Sequence, residues 1–213
     1  DKTVLIKHST ENINISQKER AALFLTAIKE RPKKLEFADG KNFQMGKTLI
    51  KFSSAVCHGT NPRLGYVIEL SIKSGTEKFL HTSDIEGPSL EDQISFVLNE
   101  KPDVLFVDGP MTYMLGYRYS HKSLEISNNN LVRAIKETRL QTLVLDHHFL
   151  RDLNYKMRIK PVYEAAEKRG VKVITAAEFS RRKIEMLEAL RDELHAKYIE
   201  KEVKGKKVYR QIE

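Results

Sequence analysis

Short apolar runs separated by turn residues fill the first ninety positions and predict strands over residues 3–7, 35–38, 48–52, 65–72 and 77–81. Asp39-Gly40 and Ser74-Gly75-Thr76 supply turns between them, so this half reads as an antiparallel meander. One helix interrupts it. Ser16 with Glu19 three positions on has the form of a capping box, Ala22, Leu23, Leu25, Ala27 and Ile28 extend its apolar side, and Pro32 ends it.

Beyond Gly87-Pro88 the spacing alternates between strand and helix. Ser89, followed by Asp92, opens a helix whose face is Ile94, Val97 and Leu98. Apolar strands over 104–107, 142–145 and 171–175 then alternate with helices over 131–137 and 162–169, the latter closed by Gly170. A last helix is predicted from about 180 to 201. Strands alternating with helices imply parallel pairing through right-handed crossovers. The expected fold class is therefore α/β (α+β), a mixed sheet with helices outside. No repeat, low-complexity tract or linker divides the chain, which reads as one domain over residues 1–213.

Composition narrows the partners. With 40% hydrophobic and 31% charged residues, no membrane-length apolar run and no signal-peptide pattern, the chain reads as a soluble globular protein, and its lone thiol suits a reducing cytoplasm. Cys57 is the sole cysteine, which excludes an internal disulfide and a thiolate-rich metal cage. A net charge of +8 favours acidic partners such as nucleic acid, although a Lys/Glu-rich surface is also common in proteins from hot environments. Arg181-Arg182-Lys183 and the basic tail over 201–210 read as a solvated face and a frayed end rather than a phosphate site.

The residues able to carry chemistry sit where strands end. His58 lies in a loop before Gly59 and suits zinc, iron or manganese. Asp84 follows the 77–81 strand and could bridge two cations; alternation of side chains predicts that it and His81 point apart. Asp108 ends the next strand, at Asp108-Gly109-Pro110, where it could orient a metal-bound histidine. Asp146-His147-His148 ends the one after. Continued alternation would make its two rings diverge, so that only one binds. Arg151, at the same edge, suits an anionic substrate group. No phosphate loop, Gly-x-Gly-x-x-Gly, Gly-x-Ser-x-Gly or His-Glu-x-x-His occurs.

In order, the segments Cys57-His58-Gly59-Thr60, Leu64-Gly65-Tyr66-Val67, His81-Thr82-Ser83-Asp84-Ile85-Glu86-Gly87-Pro88, Asp108-Gly109-Pro110 with Thr112-Tyr113, and Leu145-Asp146-His147-His148-Phe149-Leu150-Arg151-Asp152 resemble the metallo-β-lactamase superfamily, specifically a largely archaeal branch of predicted hydrolases. Ile6-Lys7-His8 with Thr10-Glu11-Asn12-Ile13-Asn14 is similar to that branch too. The resemblance implies a four-layer αββα sandwich and a two-metal centre, zinc foremost, with iron or manganese as alternatives. It assigns His58 and Asp84 as metal ligands with catalytic roles and His147 or His148 as the final ligand, His147 preferred. Asp108, Asp146 and Arg151 would orient ligands or meet substrate. The superfamily's His-x-His-x-Asp-His signature is missing, since the seven histidines contain no His-x-His pair. The chain thus looks like the C-terminal portion of a longer protein, incomplete at the N-terminus, with weak or no metal retention and no useful turnover by itself. The expected activity of the whole is hydrolysis of a phosphodiester or related ester or lactone. The rivals are a non-catalytic nucleic-acid-binding module and one subunit of a split enzyme. A small-molecule or phosphate-bearing substrate is the expected partner, nucleic acid and a second copy of the chain are further candidates, and a membrane is not.

Overall fold

The computed structural model describes residues 2–198. The chain runs through β1 (Thr3–Ile6), α1 (Ile15–Ile28), β2 (Lys34–Phe37), β3 (Asn42–Met45), β4 (Thr48–Phe52), β5 (Val56–Cys57), β6 (Tyr66–Val67), β7 (Leu70–Ser74) and β8 (Glu77–His81). It continues through α2 (Glu91–Glu100), β9 (Val104–Asp108), α3 (His121–Glu137), β10 (Thr142–Asp146), α4 (Tyr155–Arg158), α5 (Lys160–Arg169), β11 (Lys172–Thr175) and α6 (Ala176–Phe179). Single 3-10 turns lie at Pro62–Leu64, Thr112–Met114 and His147–Arg151.

Seven strands make one mixed sheet in the order β11-β10-β9-β8-β7-β4-β3. The pairs from β3 to β8 are antiparallel, and those from β8 to β11 are parallel. The predicted switch from meander to α/β units is thus present at β8. Two strands depart from the meander. β2 pairs with β1 in a separate parallel sheet, and the expected strand over 65–72 is broken into β6, which pairs with β5, and β7. The break falls where Ser83 Oγ donates to Ile68 O at 2.6 Å and Ser53 Oγ accepts from Glu69 N at 2.8 Å, bonds that replace ladder pairing.

Helix starts also shift. Asn14, not Ser16, caps α1: its side chain accepts from Gln17 N at 2.8 Å while Gln17 Oε1 accepts from Asn14 N at 3.2 Å. Gln93 Oε1 accepts from Leu90 N to close the start of α2, and Ser89 bonds Tyr119 instead, at 2.7 Å. α3 begins ten residues before its apolar stretch, and the buried positions just ahead of Leu131 are the polar Ser127, Asn128 and Asn130. Asn128 and Asn130 donate to the carbonyls of Arg158 and Pro88. The helix predicted from Ser180 does not form there. Residues 182–186 are irregular, and 191–198 are helical. Thr175 and Glu178 cap a short turn just upstream, spending the start signal on α6. The basic tail over 201–210 lies outside the described residues.

The core lies between one face of the sheet and α2, α3 and α5. Leu80, Leu105, Leu143 and Leu145 meet Ile94, Leu131, Ala134, Ile135 and Val162, all essentially inaccessible. Each large side chain buried there contributes about 1.5–3 kcal/mol. Those contacts align β8, β9 and β10 with their C-terminal ends on one edge. Asp146 pairs directly with Asp108, and His81 with Phe106. The crevice outside the C-terminal ends of parallel strands is where such sheets bind ligands.

Candidate metal centre

The three strand exits and the β5 loop converge on Asp84. His58 is held by its own backbone, whose N–H donates to Gly65 O at 2.9 Å, and its Nδ1 lies 3.4 Å from Leu64 O. Its Nε2 stands 3.2 Å from Asp84 Oδ1 and 3.6 Å from Glu86 Oε1. His147 Nε2 is 3.6 Å from Asp84 Oδ2, and His148 Nδ1 is 3.4 Å from Asp84 Oδ1. One donor atom from each of Asp84, Asp108, His147 and His148 lies within 4.8 Å of every other.

Two expectations about direction fail, for one reason. His81 and Asp84 do not point apart but line the same cavity of about 260 Å³, with Ser83, Asp108, Asp146 and His147. β8 ends at His81 and Ser83 turns with φ +61, so strand alternation stops before Asp84. Likewise β10 ends at Asp146, whose Oδ1 accepts from His147 N at 2.8 Å, and His147 takes φ +50. The 3-10 turn then keeps both rings together, with centroids 4.2 Å apart. His148 is buried, whereas the His147 side chain is 42% exposed.

Asp108 ties the edge together. Its Oδ1 accepts from the backbone N of His148 at 3.1 Å and faces His148 Nδ1 at 2.9 Å, while Oδ2 accepts from Glu86 N at 2.7 Å. Asp108 and Asp84 thus both face His148 Nδ1, and the two carboxylates hold the ring by that nitrogen. The sequence did not single out Glu86. Its backbone sits at φ +54 and its side chain is buried against Gly59 and His58, a placement that no local pattern announces.

Charge follows contact. Asp84 lifts the His58 imidazole to about 9 against the opposing effect of burial. Burial works against ionising Asp84, but His58 overcomes it, with help from His148 and His147, and holds the carboxyl down at about 2. Burial raises Asp108, and the His148 contact only partly offsets it. Burial also raises Glu86 and lowers His81. His81 Nδ1 accepts from Ser83 N at 2.8 Å, so its neutral ring carries the proton on Nε2.

The arrangement fits a cation. The His58–Asp84 contact lacks the angles of a hydrogen bond, leaving His58 Nε2 and Asp84 Oδ1 buried without such a partner. Most buried polar atoms of folded proteins have a partner, and an imidazole nitrogen beside a carboxylate oxygen is a set that divalent transition metals take. Gly59 is part of the fit. At φ +66, a Cβ there would stand 2.2 Å from Glu86 Oε2. Gly59→Ala is expected to cost about 1–2 kcal/mol from the backbone alone and to displace Glu86, read as a lower thermal midpoint with altered His58 ring shifts by NMR.

No family model matches this chain. A UPF0282 protein of Korarchaeum cryptofilum is 52% identical over 92% of this chain, which covers 65% of that protein. A UPF0282 protein of Metallosphaera sedula is 46% identical over 92% of this chain and 63% of that protein. Among solved structures, a mutant of the β-hydroxylase CmlA superposes with a TM-score of 0.52 at 11% identity, over 81% of this chain and 38% of that one. The fold is thereby metallo-β-lactamase-like, with its mixed sheet and outer helices. Among the described residues no helix is long and apolar enough to cross a membrane. The homologues of this chain are archaeal UPF0282 proteins, of whose length it spans just under two-thirds.

Proposed function

We propose that the chain belongs to a metal-dependent hydrolase that cleaves a phosphodiester or a related ester or lactone. One observation supports this most: carboxylate and imidazole donors from three successive strand exits crowd within 4.8 Å at the ligand-binding edge of a parallel sheet. His58, Asp84, His147 and His148 would hold the metal, zinc by the nitrogen-oxygen character of the set. When bound, the metal would supply Lewis acidity and a water of lowered pKa.

The chain's own residues do the rest. Asp84 lies between His58 and the two adjacent histidines and can face two positions. Asp108 keeps the His148 ring oriented, and Asp146 fixes the start of the turn that carries both rings. His81, whose Nδ1 accepts from Ser83 N, lines the cavity beside them. The net charge of +8 favours a phosphate-bearing substrate. The chain retains three or four ligands where two metal ions would use more, so it is expected to hold zinc weakly.

Calorimetry and metal analysis test the reading. The chain is expected to take up no more than about one zinc, and Asp84→Ala or His148→Ala to weaken uptake by about tenfold or more. Two tightly held ions per chain would contradict the incomplete-site account. No uptake at millimolar zinc would remove the metal reading. Salt-sensitive RNA binding that survives His58→Ala and Asp84→Ala would favour the non-catalytic nucleic-acid module instead.

A further inference from the structure

Beside the metal ligands, the same two strand exits build a second device. Tyr113 sits on the 3-10 turn after β9, and Arg151 ends the 3-10 turn that begins with His147 and His148. Arg151 Nη1 donates to Tyr113 Oη at 3.1 Å, with its guanidinium carbon 5.6 Å from the ring centroid. The Tyr113 ring lies parallel to that of His148, 3° from coplanar alignment, with centroids 6.0 Å apart. Arg151, Tyr113 and His148 therefore form a stack that runs from the surface to the metal donors.

The two turns are locked against each other. A Cβ at Gly109 would fall 1.8 Å from the Phe149 ring, and Phe149 is fully buried. The guanidinium is thus placed by packed elements rather than by a free loop. Its charge is left open. Among the described residues it has no ion-pair partner, and Glu188 acts on it only from a distance. The nearby carboxylates of Asp84 and Asp108 face the histidines. A half-buried cation with one neutral hydrogen-bond partner has donors to spare for an anion.

We infer that Arg151, braced by Tyr113, recognises a phosphoryl group of the substrate, an inference that rests on the hydrolase reading and names its substrate class. The guanidinium fork engages two anionic oxygens at once. Phosphorus carries four oxygens, so two can meet this fork while an ester oxygen faces the donor set. A carboxylate would have both of its oxygens taken by the fork alone. Tyr113 sets the plane of the fork and couples its position to His148.

The test titrates inorganic phosphate, and acetate as its control, into the chain with and without zinc, followed by calorimetry and arginine side-chain NMR. Arg151→Ala is expected to weaken phosphate binding about tenfold or more, Arg151→Lys to restore part of it, and Tyr113→Phe to weaken it about threefold, with zinc uptake and circular dichroism unchanged. Acetate is expected to bind at least about tenfold more weakly than phosphate. Phosphate binding that is absent from the native chain, or indifferent to Arg151, overturns the inference while leaving zinc uptake intact. Equal binding of acetate overturns the phosphoryl assignment. If the native chain holds no zinc yet binds phosphate through Arg151, the metal reading fails and this one stands.

Discussion

Asp108→Ala is expected to destabilise the chain by about 3–5 kcal/mol, since each buried donor left without its acceptor costs roughly 1–3 kcal/mol. Asp108 is only 4% exposed and receives three contacts, from Glu86 N, His148 N and His148 Nδ1. Truncation leaves two buried backbone N–H groups and an imidazole without an acceptor, and water has little room to replace it. Those contacts join the exits of β8, β9 and β10, so all the ligand-bearing turns would loosen together. Asp108→Asn separates charge from shape, since its side-chain oxygen can still accept while the carboxylate is lost. That variant is expected to fold more nearly like the native chain yet bind zinc about 10–100-fold more weakly. Urea denaturation and zinc titration read the two effects. A denaturation shift below about 1 kcal/mol for Asp108→Ala would show that the strand exits are held by backbone packing alone.

The sequence reveals elements that bury apolar runs, and it loses them where polar residues do the packing. β9, β10 and β11 appear within a residue or two of their observed limits, because strands covered on both sides read as unbroken apolar runs. The part of α3 before Leu131 is hidden because Ser127, Asn128 and Asn130 occupy buried positions where the pattern looks for leucine. The donor set follows the same logic. His58, Asp84, His147 and His148 stand out as metal-capable residues after apolar runs, and the structure brings them together around Asp84. What could not be read was direction. Alternation holds only inside a strand, and positive φ at Ser83, Glu86 and His147 redirects the side chains just past each end. Glu86 and Tyr113 join the site through such turns, which are fixed by contacts with residues far away in sequence.

Glu69→Met is expected to stabilise the chain by about 2 kcal/mol, roughly 4–8 °C in Tm, and to change how stability depends on pH. Glu69 lies between β6 and β7 and is 0% exposed. Its backbone is satisfied, with N donating to Ser53 Oγ at 2.8 Å and O accepting from Ser53 N at 3.0 Å, but neither side-chain oxygen has a partner. Burial pushes its carboxyl well above the usual 4.5, and the negative charge of Asp92 at the start of α2 pushes the same way. Between 4.5 and the raised value, the folded chain keeps a proton that the unfolded chain has released. The stability associated with that proton is complete below the unfolded value and is lost as pH rises toward the folded one, at up to about 1.4 kcal/mol per pH unit. Methionine fills a similar volume without a proton to hold or an acceptor to satisfy. Its advantage over the native chain should therefore widen as pH rises through that window, in urea denaturation at pH 5, 6, 7 and 8. Parallel stability curves for the two chains would mean that Glu69 finds a partner on folding, and its burial would then carry no proton linkage.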